Sequence, residues 1–168
     1  MKNKILNAKK ILIIGESGRG KTTLSIKLSE KLKLPFQSTD DFFWKTKYSE
    51  RNNIEESIEM VKQIYSADKW IVEGSTTHLI EPALEKADVI ISLTFKNIAQ
   101  QWLSLIKRYV SKEKNEKFGQ VFGLMVYVTR KRFGIGNNKE KLKKELLKPY
   151  NNKMLVISSF SEIDNLLT

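Results

Sequence analysis

The sequence predicts an α/β protein in which a parallel sheet lies between two layers of helices. Three observations carry that expectation. Short runs rich in β-branched residues alternate with segments of helical period along the whole chain. One run, Val89 to Phe95, is apolar enough to be buried on both faces, as the strands of a parallel sheet are. Another, Lys10 to Ile14, enters the pattern G-x-x-x-x-G-K-T over Gly15-Glu16-Ser17-Gly18-Arg19-Gly20-Lys21-Thr22, and a helix follows directly. Parallel strands need crossover helices, and these supply the outer layers.

The stretch from Gly15 to Thr22 has the form of a phosphate-binding P-loop, and each residue type in it has a physical reason. Gly15, Gly18 and Gly20 allow backbone dihedrals closed to other residues, so that successive N–H groups line one concavity. That concavity lies at a helix N-terminus, where unpaired N–H groups and the helix dipole favour an anion. Lys21 reaches the β- and γ-phosphates as a point charge, and Thr22 offers a hydroxyl to Mg2+. Gly15, Glu16, Ser17, Gly18, Arg19, Gly20, Lys21, Thr22 and Thr23 are therefore the expected contacts of a nucleoside triphosphate, ATP or GTP, with its magnesium ion. The side chain of Arg19 is expected in solvent or over the nucleotide.

At 168 residues the chain suits one domain with a substantial core. It has no cysteine and one histidine, His78, which argues against a disulfide framework and a zinc site. No run approaches the ~20 apolar residues of a membrane-spanning helix. The N-terminal residues lack the apolar core of a secretory signal. A cytoplasmic location with no membrane partner is expected. The net charge of +11 is concentrated, because residues 107–153 hold 14 Lys/Arg against 4 Asp/Glu. Such a segment suits a lid closing over polyphosphate, a surface for nucleic acid, or a plainly solvated lysine-rich helix face.

The elements follow in order. Leu24, Leu28 and Leu32 give the first helix one apolar face, and it ends near Lys33. Pro35 stops it, and Leu34 to Ser38 forms the second strand. That strand brings Asp40 or Asp41 to the carboxyl edge of the sheet, where open parallel sheets bind ligands. Residues 45–52 read as a polar loop. Asn52 or Asn53 caps the next helix, with Glu55 or Glu56 completing a capping box and Ile54, Ile58, Val61 and Tyr65 at helical spacing. Trp70 to Gly74 is the third strand, ending in Glu73. A short helix from Leu79 to Ala87 carries Pro82 in its first turn, and Val89 to Phe95 is the fourth strand. Asn97 caps a helix with Ile98, Trp102, Leu105 and Tyr109 on one side. Residues 111–117 read as a mobile charged connection. Phe118 to Phe133 reads as a helix packed into the core, broken by Gly134 and Gly136. Asn138 to Lys148 is a lysine-rich helix turning Leu142 and Leu146 or Leu147 inward. Met154 to Ser158 is the last strand, and Ser161 to Leu167 the closing helix.

The P-loop, the run Leu34-Pro35-Phe36-Gln37-Ser38-Thr39-Asp40-Asp41-Phe42-Phe43-Trp44 and the run Trp70-Ile71-Val72-Glu73-Gly74-Ser75-Thr76 together resemble the small P-loop kinases related to adenylate kinase. Within that group the likeness is to the DNA topology modulation proteins, whose two runs read Leu-Pro-x-x-x-Leu-Asp-x-Leu-Phe-Trp and Trp-Ile-Ile-Asp-Gly-Asn-Tyr. It covers about the first 110 residues well and the rest loosely. The resemblance implies a P-loop NTPase fold with a five-stranded parallel sheet of order 2-3-1-4-5. It also implies ATP as phosphoryl donor on the P-loop, an acceptor over strands two and three, and a basic lid within residues 107–135. Lys21 and Thr22 then fall on ATP and Mg2+, Asp40 and Glu73 near metal and acceptor, and Arg108, Arg130 and Arg132 where such kinases carry lid arginines. Arg51 matches a basic residue ahead of the second helix. The chain departs from the pattern at Glu73, at Thr94 where the family has Asp, and at His78 where it has Arg. Its lid also carries more lysine than arginine, and lysine does not reproduce a bidentate clamp on phosphate.

Two functional readings follow. The first is Mg-ATP-dependent phosphoryl transfer to a nucleotide or nucleoside-like acceptor. In it Lys21, Asp40, Arg108, Arg130 and Arg132 are catalytic, Thr22 and Glu73 hold the metal, and Asp40, Trp44, Arg51 and Gly74 meet the acceptor. The second is an ATP-binding regulatory protein that contacts nucleic acid through residues 107–153. Each residue also has a plainer role open to it. Asp40 and Asp41 can cap a helix or turn, Glu73 can be a paired surface carboxylate, and Phe42, Phe43 and Trp44 can be core. His78 can be a polar loop residue, and Arg130 and Arg132 can serve solubility.

Overall fold

The computed structural model describes residues 2–46, 50–111, 118–135 and 139–167. In chain order its strands are β1 (Lys10–Gly15), β2 (Phe36–Ser38), β3 (Trp44–Thr46), β4 (Glu50–Arg51), β5 (Trp70–Gly74), β6 (Val89–Leu93) and β7 (Met154–Ile157). Its helices are α1 (Lys2–Leu6), α2 (Lys21–Leu32), α3 (Asp40–Phe43), α4 (Ile54–Ser66), α5 (Thr77–Lys86), α6 (Ile98–Val110), α7 (Phe118–Arg132), α8 (Lys139–Leu147) and α9 (Phe160–Leu167), with a 3-10 turn over Lys148–Lys153. The main sheet is parallel and five-stranded, in the order β2-β5-β1-β6-β7. With the separate β3–β4 hairpin set aside, this is the expected order 2-3-1-4-5.

Alternation along β1 divides the core in two. Ile11 and Ile13 face one side and pack with Leu24 and Leu28 of α2 and Ile163 of α9. Leu12 and Ile14 face the other and pack with Val61 and Tyr65 of α4 and Leu79 and Leu84 of α5. Both faces of the central strands are therefore dry, and the two helical layers follow from that.

Register brings the carboxyl ends of four strands together. Gly15 pairs with Leu93, Ile14 with Gly74, and Ser38 with Glu73. Two glycines make this edge possible. Gly15 has φ +143°, and a Cβ there would lie 2.1 Å from the Leu93 carbonyl oxygen. A Cβ on Gly74 would lie 2.1 Å from Oγ1 of the buried Thr39, whose N–H donates to the Glu73 carbonyl at 2.8 Å.

Several expectations need correction. The polar stretch 45–52 contains the β3–β4 hairpin, with Trp44 opposite Arg51. Asn52 anchors its return by donating from its main chain and side chain to the carbonyls of Phe43 and Phe42, at 3.0 and 2.8 Å. Residues 47–49 lie outside the described residues. Asn53 caps α4 as expected, accepting from the Glu55 and Glu56 N–H groups. Helix α5 starts at Thr77, so Pro82 lies in its second turn. Helix α1 was not foreseen, and it places Ile5 in the core.

The largest correction concerns α7. Its apolar residues run all round the helix, but only Val121 and Val128 are buried, in a satellite cluster with Leu105 of α6. It therefore packs on α6 rather than into the main core. On α6, Trp102 stays partly in solvent and donates to Thr129 Oγ1 at 3.1 Å, while Gln101 takes a buried place. On α8, Leu142 faces solvent and Lys143 is buried in its stead, whereas Leu146 and Leu147 do pack inward. Gly134 ends α7 with φ +67°. The expected connection over 112–117, the break at Gly136 and the helix start at Asn138 lie outside the described residues. Among the described residues no helix is long and apolar enough to cross a membrane.

The Gly74–Thr39 contact yields a prediction. Gly74→Ala is expected to lower unfolding stability by about 1–3 kcal/mol through overpacking. Adding Thr39→Ala should restore much of that loss in denaturant titrations. Gly15→Ala has no such rescue, because its obstacle is a main-chain carbonyl.

Candidate active site

The P-loop joins β1 to α2. Gly18 and Gly20 take φ +83° and +82°, the left-handed region that glycine occupies without strain. Gly20 is the N-cap of α2 and supplies no side-chain cap. The first-turn N–H groups of α2 are thus not taken by a capping side chain, which suits a site for an anion.

Helix α6 holds the loop from outside. Ser104 Oγ donates to the Gly18 carbonyl at 2.6 Å, and Gln101 Nε2 donates to the Ser17 carbonyl at 3.2 Å. A Cβ on Gly18 would lie 3.0 Å from Leu105 Cδ2. Arg108 follows Ser104 by one turn on this face and is half-buried. Gln101 and Ser104 belong to no motif in the sequence. Their signal was two polar residues at helical spacing beside an apolar stripe.

Loop and α7 are joined through charge. Lys21 Nζ donates to the Glu16 carbonyl at 3.2 Å, folded back over the loop. The Glu16 carboxylate accepts from the Phe95 N–H and lies 3.5 Å from the Arg132 guanidinium. Arg132 also donates to the carbonyls of Phe95 at 3.4 Å and Lys96 at 2.8 Å. Arg130, two residues earlier, is exposed.

Arg19 departs from expectation. It reaches neither solvent nor the space over the loop, being 1% exposed. Its Nε donates to the Thr94 carbonyl at 2.7 Å, and its guanidinium lies 5.0 Å from the centroid of the Phe95 ring and 4.1 Å from that of Phe160. Burial lowers its pKa, and Glu162 and Glu16 partly offset that. Glu162 starts α9 by accepting from the Ser158 and Ser159 N–H groups, which hold its carboxyl below the usual range. Arg19 is thus a strut from the P-loop to α9.

Three oxygens meet at the carboxyl edge. Thr22 Oγ1 and Ser38 Oγ both donate to Oε1 of Glu73, at 3.0 and 2.9 Å, and Glu73 is 5% exposed. One carboxylate and two hydroxyls are hard donors of the kind Mg2+ accepts alongside water and phosphate. Among the described residues there is no group of three or more His, Cys, Asp or Glu side chains that would form a protein cage around a metal. Ser38 was not singled out from the sequence; its role comes from the β2–β5 register.

The residues expected at the acceptor separate into two places. Asp40 opens α3, is half-buried, and has its N–H on Ser38 Oγ at 3.3 Å. Trp44 and Arg51 belong to the hairpin, where the Arg51 guanidinium lies 5.7 Å from the Trp44 ring and 5.2 Å from that of Phe43. Gly74 serves the approach of Thr39. His78 lies beside Phe43, with ring centroids 6.1 Å apart. A cavity of about 450 Å3 opens on the β1–β6 side, bounded by Glu16 and Thr94, by Tyr127 and Lys131 of α7, and by Lys143 and Lys144 of α8. Lys143 is also tied to the Ser75 carbonyl at 2.9 Å. Asp40, Trp44 and Arg51 do not line this cavity.

This architecture is shared with solved small-molecule kinases. Shikimate kinase from Acinetobacter baumannii, in complex with shikimate, superposes with a TM-score of 0.57 at 13% identity, covering 99% of this chain and 93% of that one. Shikimate kinase from Bacteroides thetaiotaomicron gives 0.56 at 12% identity, covering 95% and 94%. A gluconokinase from Sinorhizobium meliloti 1021 gives 0.56 at 11% identity, covering 94% and 88%. At such identities the likeness establishes the fold alone. No family model matches the sequence. The uncharacterized protein YqaC of Bacillus subtilis (strain 168) is 34% identical over 68 residues, 40% of this chain. The match spans 38% of YqaC's own length.

The Arg19 strut is testable. Arg19→Met is expected to lower unfolding stability by about 2 kcal/mol, through loss of the bond to Thr94 and the contacts with both rings. Urea titration would measure it. An unchanged midpoint would deny the strut its role.

Proposed function

We propose that this protein is a Mg-ATP-dependent phosphotransferase acting on a small acceptor, nucleotide or nucleoside-like. The observation that carries the reading is the meeting of Thr22, Ser38 and Glu73 beside a P-loop whose lysine is Lys21. The shared fold with small-molecule kinases supports it.

Phosphoryl transfer depends on positioning and charge neutralisation. The N–H groups of the loop and the first turn of α2 would hold the phosphates. Lys21, released from the Glu16 carbonyl, would reach the β- and γ-oxygens. Thr22 and Glu73 would hold magnesium directly or through water, with Ser38 orienting Glu73. The metal supplies charge neutralisation on the phosphates. Arg108, one turn beyond Ser104 on α6, would supply the guanidinium that follows the transferring group. Asp40 would accept the proton of an acceptor hydroxyl, whereas a phosphate acceptor needs no base. The lysines of α7 and α8 around the cavity suit an acceptor that carries an anionic group of its own.

The nucleic-acid reading draws on the charge of residues 107–153. Several of those cations are engaged within the molecule. Arg132 donates to Phe95 and Lys96, Lys143 to Ser75, and Lys153 to Glu85 and Ala87. This favours the kinase. A plot of log affinity for duplex DNA against log salt is expected to be nearly flat; a steep slope with no sequence preference would show only non-specific electrostatics, and a steep slope with sequence preference would restore the nucleic-acid reading.

The deciding experiment measures ATP consumption against nucleoside monophosphates, nucleosides and small hydroxy acids. One acceptor is expected to stimulate turnover, and Lys21→Ala to reduce it by roughly a hundredfold or more. Glu73→Gln should raise the magnesium concentration needed for half-maximal rate. ATP binding with no stimulation by any acceptor would count against the enzyme reading.

A further inference from the structure

The face of the α6–α7 pair turned away from the P-loop is apolar and unpartnered among the described residues. Trp102 bonds to Thr129, and the Tyr109 and Phe118 rings meet at 6.1 Å, so the two helices run antiparallel. On α6, Leu103, Ile106 and Val110 recur at helical spacing, and Leu103 and Val110 are 67% and 72% exposed. On α7, Phe118, Phe122 and Val126 do the same, and the two Phe are 68% and 59% exposed with their rings stacked. At about 100° per residue, both stripes stand on the same rotational side of the line of contact. In an antiparallel pair that puts them on one surface. Gln101 and Ser104, which grip the P-loop, and Tyr127 and Lys131, which line the cavity, lie on the opposite one.

The same geometry sets Lys107 and Arg130 along the two outer edges of this surface. Neither helix contains an Asp or a Glu. An apolar face with phenylalanines, a basic border and no carboxylate has the chemistry of an element that lies in an anionic lipid interface. A second copy across a two-fold axis would set basic borders against each other, with no acidic residue on either helix to separate them. The expectation of no membrane partner concerned spanning segments and signals, whereas a helix pair lying in the interface needs neither.

We propose that the outer face of the α6–α7 pair docks on an anionic phospholipid surface, with Leu103, Ile106, Val110, Phe118 and Phe122 entering the interface and Lys107 and Arg130 meeting headgroup phosphates. This goes beyond the proposed phosphotransferase and does not depend on it.

The test is cosedimentation of the full chain with vesicles of phosphatidylcholine alone and of phosphatidylcholine mixed with phosphatidylglycerol. Binding is expected to the mixed vesicles only, and to weaken in high salt. Phe118→Ser with Phe122→Ser should reduce it at least about tenfold, and Lys107→Gln about fivefold. All three positions are in solvent, so thermal unfolding should be unaltered. Leu103→Glu, on the other helix, is the second probe should the double variant fail to fold. No binding by the wild type would overturn the proposal, as would equal binding to both vesicles or undiminished binding in the variants. Sedimentation velocity showing a dimer that Leu103→Glu dissolves, or capture by an acidic amphipathic peptide, each without vesicle binding, would assign the face to a protein instead.

Discussion

The close passage of Gly15 over the Leu93 carbonyl is the constraint on which the rest of the site depends. The absence of a side chain lets β1 end directly against β6, and the Glu16 N–H then bonds to that carbonyl at 2.9 Å. From there the main chain of Leu93 to Lys96 becomes a hub. It accepts from Glu16, from Arg19 and from Arg132, and it donates to the Glu16 carboxylate. The P-loop and α7 are thereby fixed to the same four residues.

A second meeting completes the edge. Register sets Ser38 beside Glu73, and α2 begins close enough for Thr22 to reach the same carboxylate oxygen. The extra methylene of glutamate over aspartate is accommodated by the depth of that site, where Glu73 is almost wholly buried. Burying an anion is costly unless it is hydrogen-bonded. Two hydroxyls meet part of that cost in this state, and a cation would meet more. The arrangement explains why a carboxylate stands at the end of an otherwise apolar strand.

Much of the fold was legible because it is written in periodicity and punctuation. The β-branched runs gave the main-sheet strands, Asn53 and Asn97 gave caps, and the glycines gave the loop. Asn52 closes a hairpin through bonds to main-chain carbonyls ten residues back, and no pattern of residue types announces that. Arg19 looked like a solvent-facing charge because the two rings that enclose it come from β6's end and from α9, far away in sequence. The α7 helix misled for the opposite reason. Its composition is that of a core helix, yet among the described residues its buried apolar positions cluster only with α6, and much of its apolar surface remains outside. Residue type alone pointed to the P-loop and to Glu73 as candidates. Ser38, Thr39, Gln101 and Ser104 matter through position alone.

Three basic side chains that shape the site share a habit. Arg19, Arg132 and Lys143 each donate to a main-chain carbonyl, at Thr94, at Phe95 and Lys96, and at Ser75. A carbonyl is present whatever residue carries it. The positions that receive these bonds can therefore drift in sequence while the architecture is kept, and Thr94 can stand where an acidic residue is expected. Replacing the side chain at a receiving position is therefore expected to leave the bond, and the tie it makes between elements, in place.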